Sequence, residues 1–201
     1  MEIEELKKII KEDENAKVDF KQEWYKYSKR IDNEFIRDMI ALANGDIFSI
    51  EKASYLIIGI VDGSKEAINF DVSKIDRSLD KFKRNLLQVL NNYAQPPFLD
   101  LNIEWIDYQE KEILVLSIPP HQRLIYLSKD LSIDDNKKII PKRTVLYRLG
   151  TSVALADIDI IKDFEKAFDK NKSGMIINQT HSGTGDNIGR DKVIERIIYQ
   201  K

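Results

Sequence analysis

The chain has 201 residues, 42% hydrophobic and 33% charged, with no apolar run near the length of a membrane span, which suits one folded domain plus an appendage and argues against a membrane protein. A net charge of −2 excludes coating of nucleic acid by bulk charge, so any nucleic-acid surface must be a local patch. The absence of cysteine excludes disulfides and thiolate metal sites, and Met1-Glu2-Ile3-Glu4-Glu5-Leu6 lacks a basic region followed by an apolar core, so a cytoplasmic location is expected.

In chain order, Ile3, Leu6, Ile9 and Ile10 form a helical stripe, predicting a short helix over residues 2–12. Val18 and Phe20 then alternate with Asp19 and Lys21, the period of a strand, so the two charged side chains should project from the face opposite the apolar pair. Asp32 or Asn33 can cap a helix whose Phe35, Ile36, Met39, Ile40 and Ala43 form a core-facing side. The run Tyr55-Leu56-Ile57-Ile58-Gly59-Ile60-Val61 reads as a buried central strand delivering Asp62 to a sheet edge. Should that strand neighbour the Val18 strand, Glu14, Asp19 and Asp62 can converge, and an oxygen-only cluster of this kind suits Mg2+ or Mn2+.

Ser73 with Asp76 resembles a capping box, which predicts a helix carrying Ile75, Leu79, Phe82, Leu86, Val89 and Leu90 towards Tyr93, with Lys74, Arg77, Lys81, Lys83 and Arg84 on a solvated face. Pro96-Pro97 stops it. Residues 99–108 and 112–118 form a predicted hairpin turning at Gln109-Glu110-Lys111. His121 follows without a visible partner, a pattern that favours a structural histidine over a general acid or base. Leu124 to Leu127 is a short strand and Ser128 to Asn136 a polar loop. Lys137, Lys138, Lys142, Arg143 and Arg148 then make a basic region, and Tyr147 among them can stack a base. An edge strand protected by lysines accounts for the same pattern. Ile158, Ile161, Phe164 and Phe168 mark a last helix, after which glycine, serine and asparagine dominate.

Four blocks in order carry a family resemblance: Glu14 to Lys21 (Glu-x-x-x-Val-Asp-Phe-Lys), Phe35 to Asn44 ending Ala-Leu-Ala-Asn, Tyr55 to Asp62, and Lys142 to Ser152 with its Tyr-Arg-Leu-Gly-Thr-Ser ending. Together they resemble the Schlafen-type Alba-2 domain. The resemblance implies an α+β fold, a mixed β-sheet with packed helices, over residues 1–170. It also implies nucleic-acid binding and, in the Schlafen branch, a divalent-metal-dependent endoribonuclease acting on tRNA and other structured RNA through carboxylates that fall on Glu14, Asp19 and Asp62. Lys21 would neutralise the scissile phosphate or orient Asp19, while Arg123, Lys142, Arg143, Tyr147 and Arg148 would hold the nucleic acid. The alternative is a non-catalytic DNA- or RNA-binding module that regulates a partner. This sequence has Asp19 where the family usually has Glu, and the longer Gly45 to Ser54 loop where it has a glycine turn. Residues 171–201 are expected to be an assembly tail that makes the chain a homo-oligomer, at least a dimer. Within it, Gly183-Thr184-Gly185-Asp186-Asn187 to Asp191-Lys192 resembles a short motif of bacterial anti-phage proteins.

Overall fold

The computed structural model describes residues 1–25, 33–76, 78–133 and 138–173. Four strands form the central sheet: β1 (Val18–Lys21), β2 (Ser54–Ile58), β5 (Lys111–Ile118) and β4 (Asn102–Tyr108), in the order β1-β2-β5-β4. β1 runs parallel to β2, with Asp19 opposite Leu56, whereas β2–β5 and β5–β4 are antiparallel, so the sheet is mixed as expected.

Side-chain alternation sends each central strand into two different cores. On one face Val18, Phe20, Ile57, Ile113 and Val115 meet Leu6, Ile9 and Ile10 of helix α1 (Ile3–Lys11). On the other, Leu56, Ile58, Leu114 and Leu116 meet helix α2 (Asn33–Asn44) and Phe82, Leu86 and Leu90 of helix α3 (Leu79–Asn91). Burial on both faces explains why β2 reads as a continuous apolar run rather than an alternating one. A third cluster gathers Ile50, Leu124, Val145, Phe164 and Phe168 beneath helix α4 (Ile158–Ser173).

Helix α2 is the pin of the molecule, buried from Phe35 to Asn44 except at Arg37. Its end is fixed by side chains rather than by water. The Asn44 amide donates to the carbonyls of Ile125 and Leu146, at 2.9 and 2.7 Å, and accepts the Ile125 N–H at 2.9 Å. Gly45 closes the helix at φ +62°, and a Cβ there would stand 2.3 Å from Lys17 Cε, so both conformation and space require glycine.

Two sequence expectations shift. Helix α3 starts at Leu79, because Asp71 caps Ser73 in a short 3-10 turn over Val72–Lys74 and uses up the apparent capping signal. Arg77 lies outside the described residues; Lys81 and Lys83 pair with Asp76 and Asp100 at 2.8 and 2.7 Å. The region read as a polar loop, Ser128 to Asn136, holds β7 (Leu131–Ile133), which pairs with β8 (Lys138–Ile140) just beyond it; their link, Lys137 included, is outside the described residues. The remaining strands are β3 (Ala94–Gln95), paired with β6 (Tyr126–Leu127), and β9 (Leu146–Leu149), paired with β10 (Ser152–Leu155). No helix among the described residues is long and apolar enough to cross a membrane.

Candidate nucleic-acid interface and acidic edge

Asp19 and Lys21 do project from the face opposite Val18 and Phe20, but that face is covered by α2 and β9, and Asp19 is only 3% exposed. Its Oδ2 lies 2.7 Å from Lys21 Nζ and its Oδ1 lies 3.4 Å from Arg148 Nη2. The Lys21 contact is an ion pair without hydrogen-bond geometry, since Asp19 Oδ2 has no hydrogen-bond partner. Asp38 extends the network: it accepts the Tyr25 hydroxyl at 2.8 Å and the Arg37 guanidinium, and it lies 3.9 Å from Lys21. Burial, then the charges of Asp38 and Asp19, push the Tyr25 hydroxyl well above its ordinary pKa, so it stays a hydrogen-bond donor.

Glu14 is placed by a tight turn in which Asn15 and Val18 pair, and its Oε1 accepts the Phe20 N–H at 2.7 Å. Burial raises its pKa; the Phe20 N–H opposes that, and the neighbouring charges of Asp19 and Asp62 add to it. Asp62 stands on the turn after β2, its side chain 62% exposed, 3.1 Å from Lys65 Nζ. Lys65 also pairs with Asp13 and sits 4.5 Å over the Phe20 ring.

The three acids are thus electrostatic neighbours at one edge, each with its own partner. Among the described residues, no three Asp, Glu, His or Cys side chains stand close enough to hold one metal ion together. As placed, Glu14, Asp19 and Asp62 do not fit a shared Mg2+ or Mn2+: two cations face Asp19, one faces Asp62, and Glu14 is engaged by a backbone amide.

The expected nucleic-acid residues separate into two groups. Arg148 is 2% exposed and turned inward against Asp19, so it cannot track a phosphate backbone from where it lies. Tyr147 is half-buried, its ring edge-on to Phe164 with centroids 6.0 Å apart. Arg123, Lys142 and Arg143 are exposed. Arg143 takes φ +67°, an unfavourable conformation for a side-chain-bearing residue, and its N–H donates to the Leu127 carbonyl at 2.7 Å while the Leu127 N–H donates to the Thr144 carbonyl at 2.9 Å. These bonds hold Arg143 beside Arg123 on a cavity of about 780 Å3. Its wall includes Tyr126, Leu124 and Pro96-Pro97, which β3, β6 and the following loop bring together. Sequence reading did not join these segments, because β3 and β6 are each only a residue pair.

Two other cation-forming groups, buried Lys17 and half-buried His121, have structural surroundings. Lys17 Nζ donates to the Ala43 carbonyl at 2.9 Å, neutralising the C-terminal end of α2 as burial lowers its pKa to about 8. His121 sits edge-on to Phe98, and burial, with the Lys17 charge, lowers its pKa to about 4, so it is neutral at pH 7.

Comparison with known proteins gives a family and a distant structural likeness. The profile of the family described as Schlafen, AlbA_2 matches residues 14–157. The crystal structure of the DIP2311 protein from Corynebacterium diphtheriae is similar at 16% sequence identity and a TM-score of 0.44, over 82% of this chain and 28% of that one. A comparison with curated proteins finds no match.

Proposed function

This chain belongs to the Schlafen AlbA_2 family, and from that premise we propose that it is a nucleic-acid-binding domain whose contact surface is the Arg123, Lys142 and Arg143 side of the molecule. One observation carries the reading: two arginines meet at an open cavity that also offers Tyr126 and a Pro-Pro surface, with exposed Lys142 beside them. Guanidinium groups match phosphate oxygens in a planar fork, and aromatic or proline faces accept unstacked bases. In a chain of net charge −2, such a surface works locally.

Cleavage of bound RNA at the acidic edge is the second reading, and the observation favouring it is the raised pKa of Glu14 beside the charges of Asp19 and Asp62. In this reading the domain is a metal-dependent endoribonuclease of structured RNA such as tRNA, possessing the antiviral role that its tail motif suggests. The ion pairs of Asp19 and Asp62 weigh towards binding alone.

One experiment separates the two. The full chain is mixed with labelled tRNA and single-stranded DNA in Mg2+, Mn2+ or EDTA. Binding should persist in EDTA, and the combined change Arg123→Ala, Lys142→Ala, Arg143→Ala should weaken it and flatten its salt dependence by about one unit of log–log slope per lost phosphate contact. Absence of binding at low salt overturns the proposal. Cleavage that needs metal and disappears in Asp62→Ala establishes the second reading; Asp62 is the informative acid because its exposed side chain can be removed without opening the core.

A further inference from the structure

Aromatic side chains are costly to leave in water, and of those among the described residues Phe48 alone is exposed, at 87%. It stands in the Gly45 to Ser54 loop that follows helix α2. A single exposed apolar residue is ordinary; the setting of this one is not. Its neighbours turn inward: Ser49 and Ile50 are buried, and Ile47 packs on the cluster that Ile50 forms with Leu124, Phe164 and Phe168. The backbone that carries the ring is locked as well. Asp46 Oδ1 accepts the Phe48 N–H at 3.1 Å and the Ser49 hydroxyl at 2.6 Å, and the Lys52 N–H donates to the Ser49 carbonyl at 2.9 Å. Polar atoms close the turn and the two isoleucines seat it, so neither task uses the phenyl ring. A ring presented in this way meets a partner without the cost of ordering its loop.

The place of the loop points to that partner. Ile47 and Ile50 share their apolar cluster with Leu124, Tyr126 and Phe168, and these three also line the cavity that carries Arg123 and Arg143. One contiguous cluster therefore supports both the arginines and the aromatic turn. Arginines suit phosphates, whereas a phenyl ring has neither charge nor hydrogen-bonding atom and offers a π face.

We propose that Phe48 is a stacking contact for an unpaired base of the nucleic acid whose phosphates lie at Arg123 and Arg143. The inference rests on the nucleic-acid-binding reading above and adds to it a preference for single-stranded segments, DNA and RNA alike. Every base has a π face, and in a duplex that face is covered by its neighbours in the stack. The loop's own charges, Asp46 and Glu51 against Lys52, bring no surplus of cations, so its contribution is stacking rather than phosphate attraction.

The test uses the full chain and three labelled probes in fluorescence anisotropy: a single-stranded DNA oligonucleotide, an abasic strand of the same length, which keeps the phosphates and lacks the bases, and the duplex. Phe48→Ala should weaken binding of the base-bearing strand about tenfold, the loss of one stacking contact. It should leave the abasic strand and the duplex unaffected and the salt slope unchanged, because no phosphate contact is lost. Removing so exposed a ring leaves the core closed, so circular dichroism should not change. Phe48→Trp should keep the affinity, and its indole emission should be quenched by the base-bearing strand and not by the abasic one; the unaltered chain, with buried Trp24 and half-buried Trp105, supplies the baseline. An unaltered affinity in Phe48→Ala, an equal loss on all three probes, or an indole that the bases do not quench overturns the stacking contact, and the binding function stands if the combined change at Arg123, Lys142 and Arg143 still weakens binding. Failure of the unaltered chain to bind the base-bearing strand at low salt overturns both.

Discussion

A charged residue on the inward face of a strand must find a counter-charge, and Arg148 finds Asp19 from 129 positions away in the sequence. Position 148 shares its strand face with buried Leu146 and so points to the core, whereas the sequence reading set Arg148 towards nucleic acid, because nothing local announces its partner. Asp19 therefore has a structural task before any catalytic one. Arg148→Ala should lower the unfolding free energy by about 3 kcal/mol, the low end for breaking a buried pair, since the 3.4 Å contact is long and Arg148 Nε lacks a hydrogen-bond partner. Urea denaturation reads the loss. The salt slope of nucleic-acid binding should stay unchanged in the same variant at temperatures where it is folded; a flattened slope with full stability would return Arg148 to the binding surface. By the same reasoning, loss of activity in Asp19→Ala carries no catalytic meaning until folding has been measured.

At the scale of elements, the β4–β5 hairpin shows how closely local chemistry can be read and where it departs from the optimum. Its turn is the pair Gln109-Glu110, both at positive φ, 49° and 62°, the conformation that fits the twist of a two-residue hairpin and favours Asn-Gly. Gln109 has a second duty, accepting the Ala67 N–H at 2.9 Å, whereas Glu110 is exposed. Glu110→Gly should therefore raise stability by roughly 1 kcal/mol, relieving the left-handed strain at one residue; a thermal midpoint that falls instead would show that Glu110 has a role in the native state. The hairpin, α1, α2 and α4 were legible because their apolar periods run long enough to be distinctive. Helix α3 was placed too early because Ser73 and Asp76 mimic a cap that the 3-10 turn uses. Strands β3, β7 and β8, of two or three residues, carry too few alternations to reveal themselves. The site followed the same rule: the acids and exposed cations were visible as residue types, while the cavity joining Pro96, Arg123, Arg143 and Glu165 exists only through tertiary pairing.

For the whole molecule, the domain boundary decides what an assembly experiment means. Sequence placed the end of the fold near residue 170, yet α4 runs to Ser173 and its Glu165, Phe168 and Asp169 face the cavity, so a cut after Asp169 would fray the pocket wall. Residues 174–201 lie outside the described ones, and the expectation for them rests on composition: Gly183, Gly185 and Gly189 supply no core side chains, while Met175-Ile176-Ile177 and Ile194, Ile197 and Ile198 supply apolar surface suited to another chain. Among the described residues, the three apolar clusters under α1, α2 and α4 already pack the sheet on both faces and hold the last helix through Phe164 and Phe168. A chain ending at Ser173 should therefore fold, bind a short oligonucleotide with full affinity, and differ from the full chain only where two sites act together. A homo-oligomer sets two such surfaces side by side, so a folded RNA long enough to span them should bind the full chain on the order of a hundredfold more tightly than the truncated one. Light scattering and binding must agree. Equal mass per particle for both proteins removes the tail as an assembly element, and a smaller truncated particle with undiminished affinity for long RNA would show that assembly and binding are unconnected.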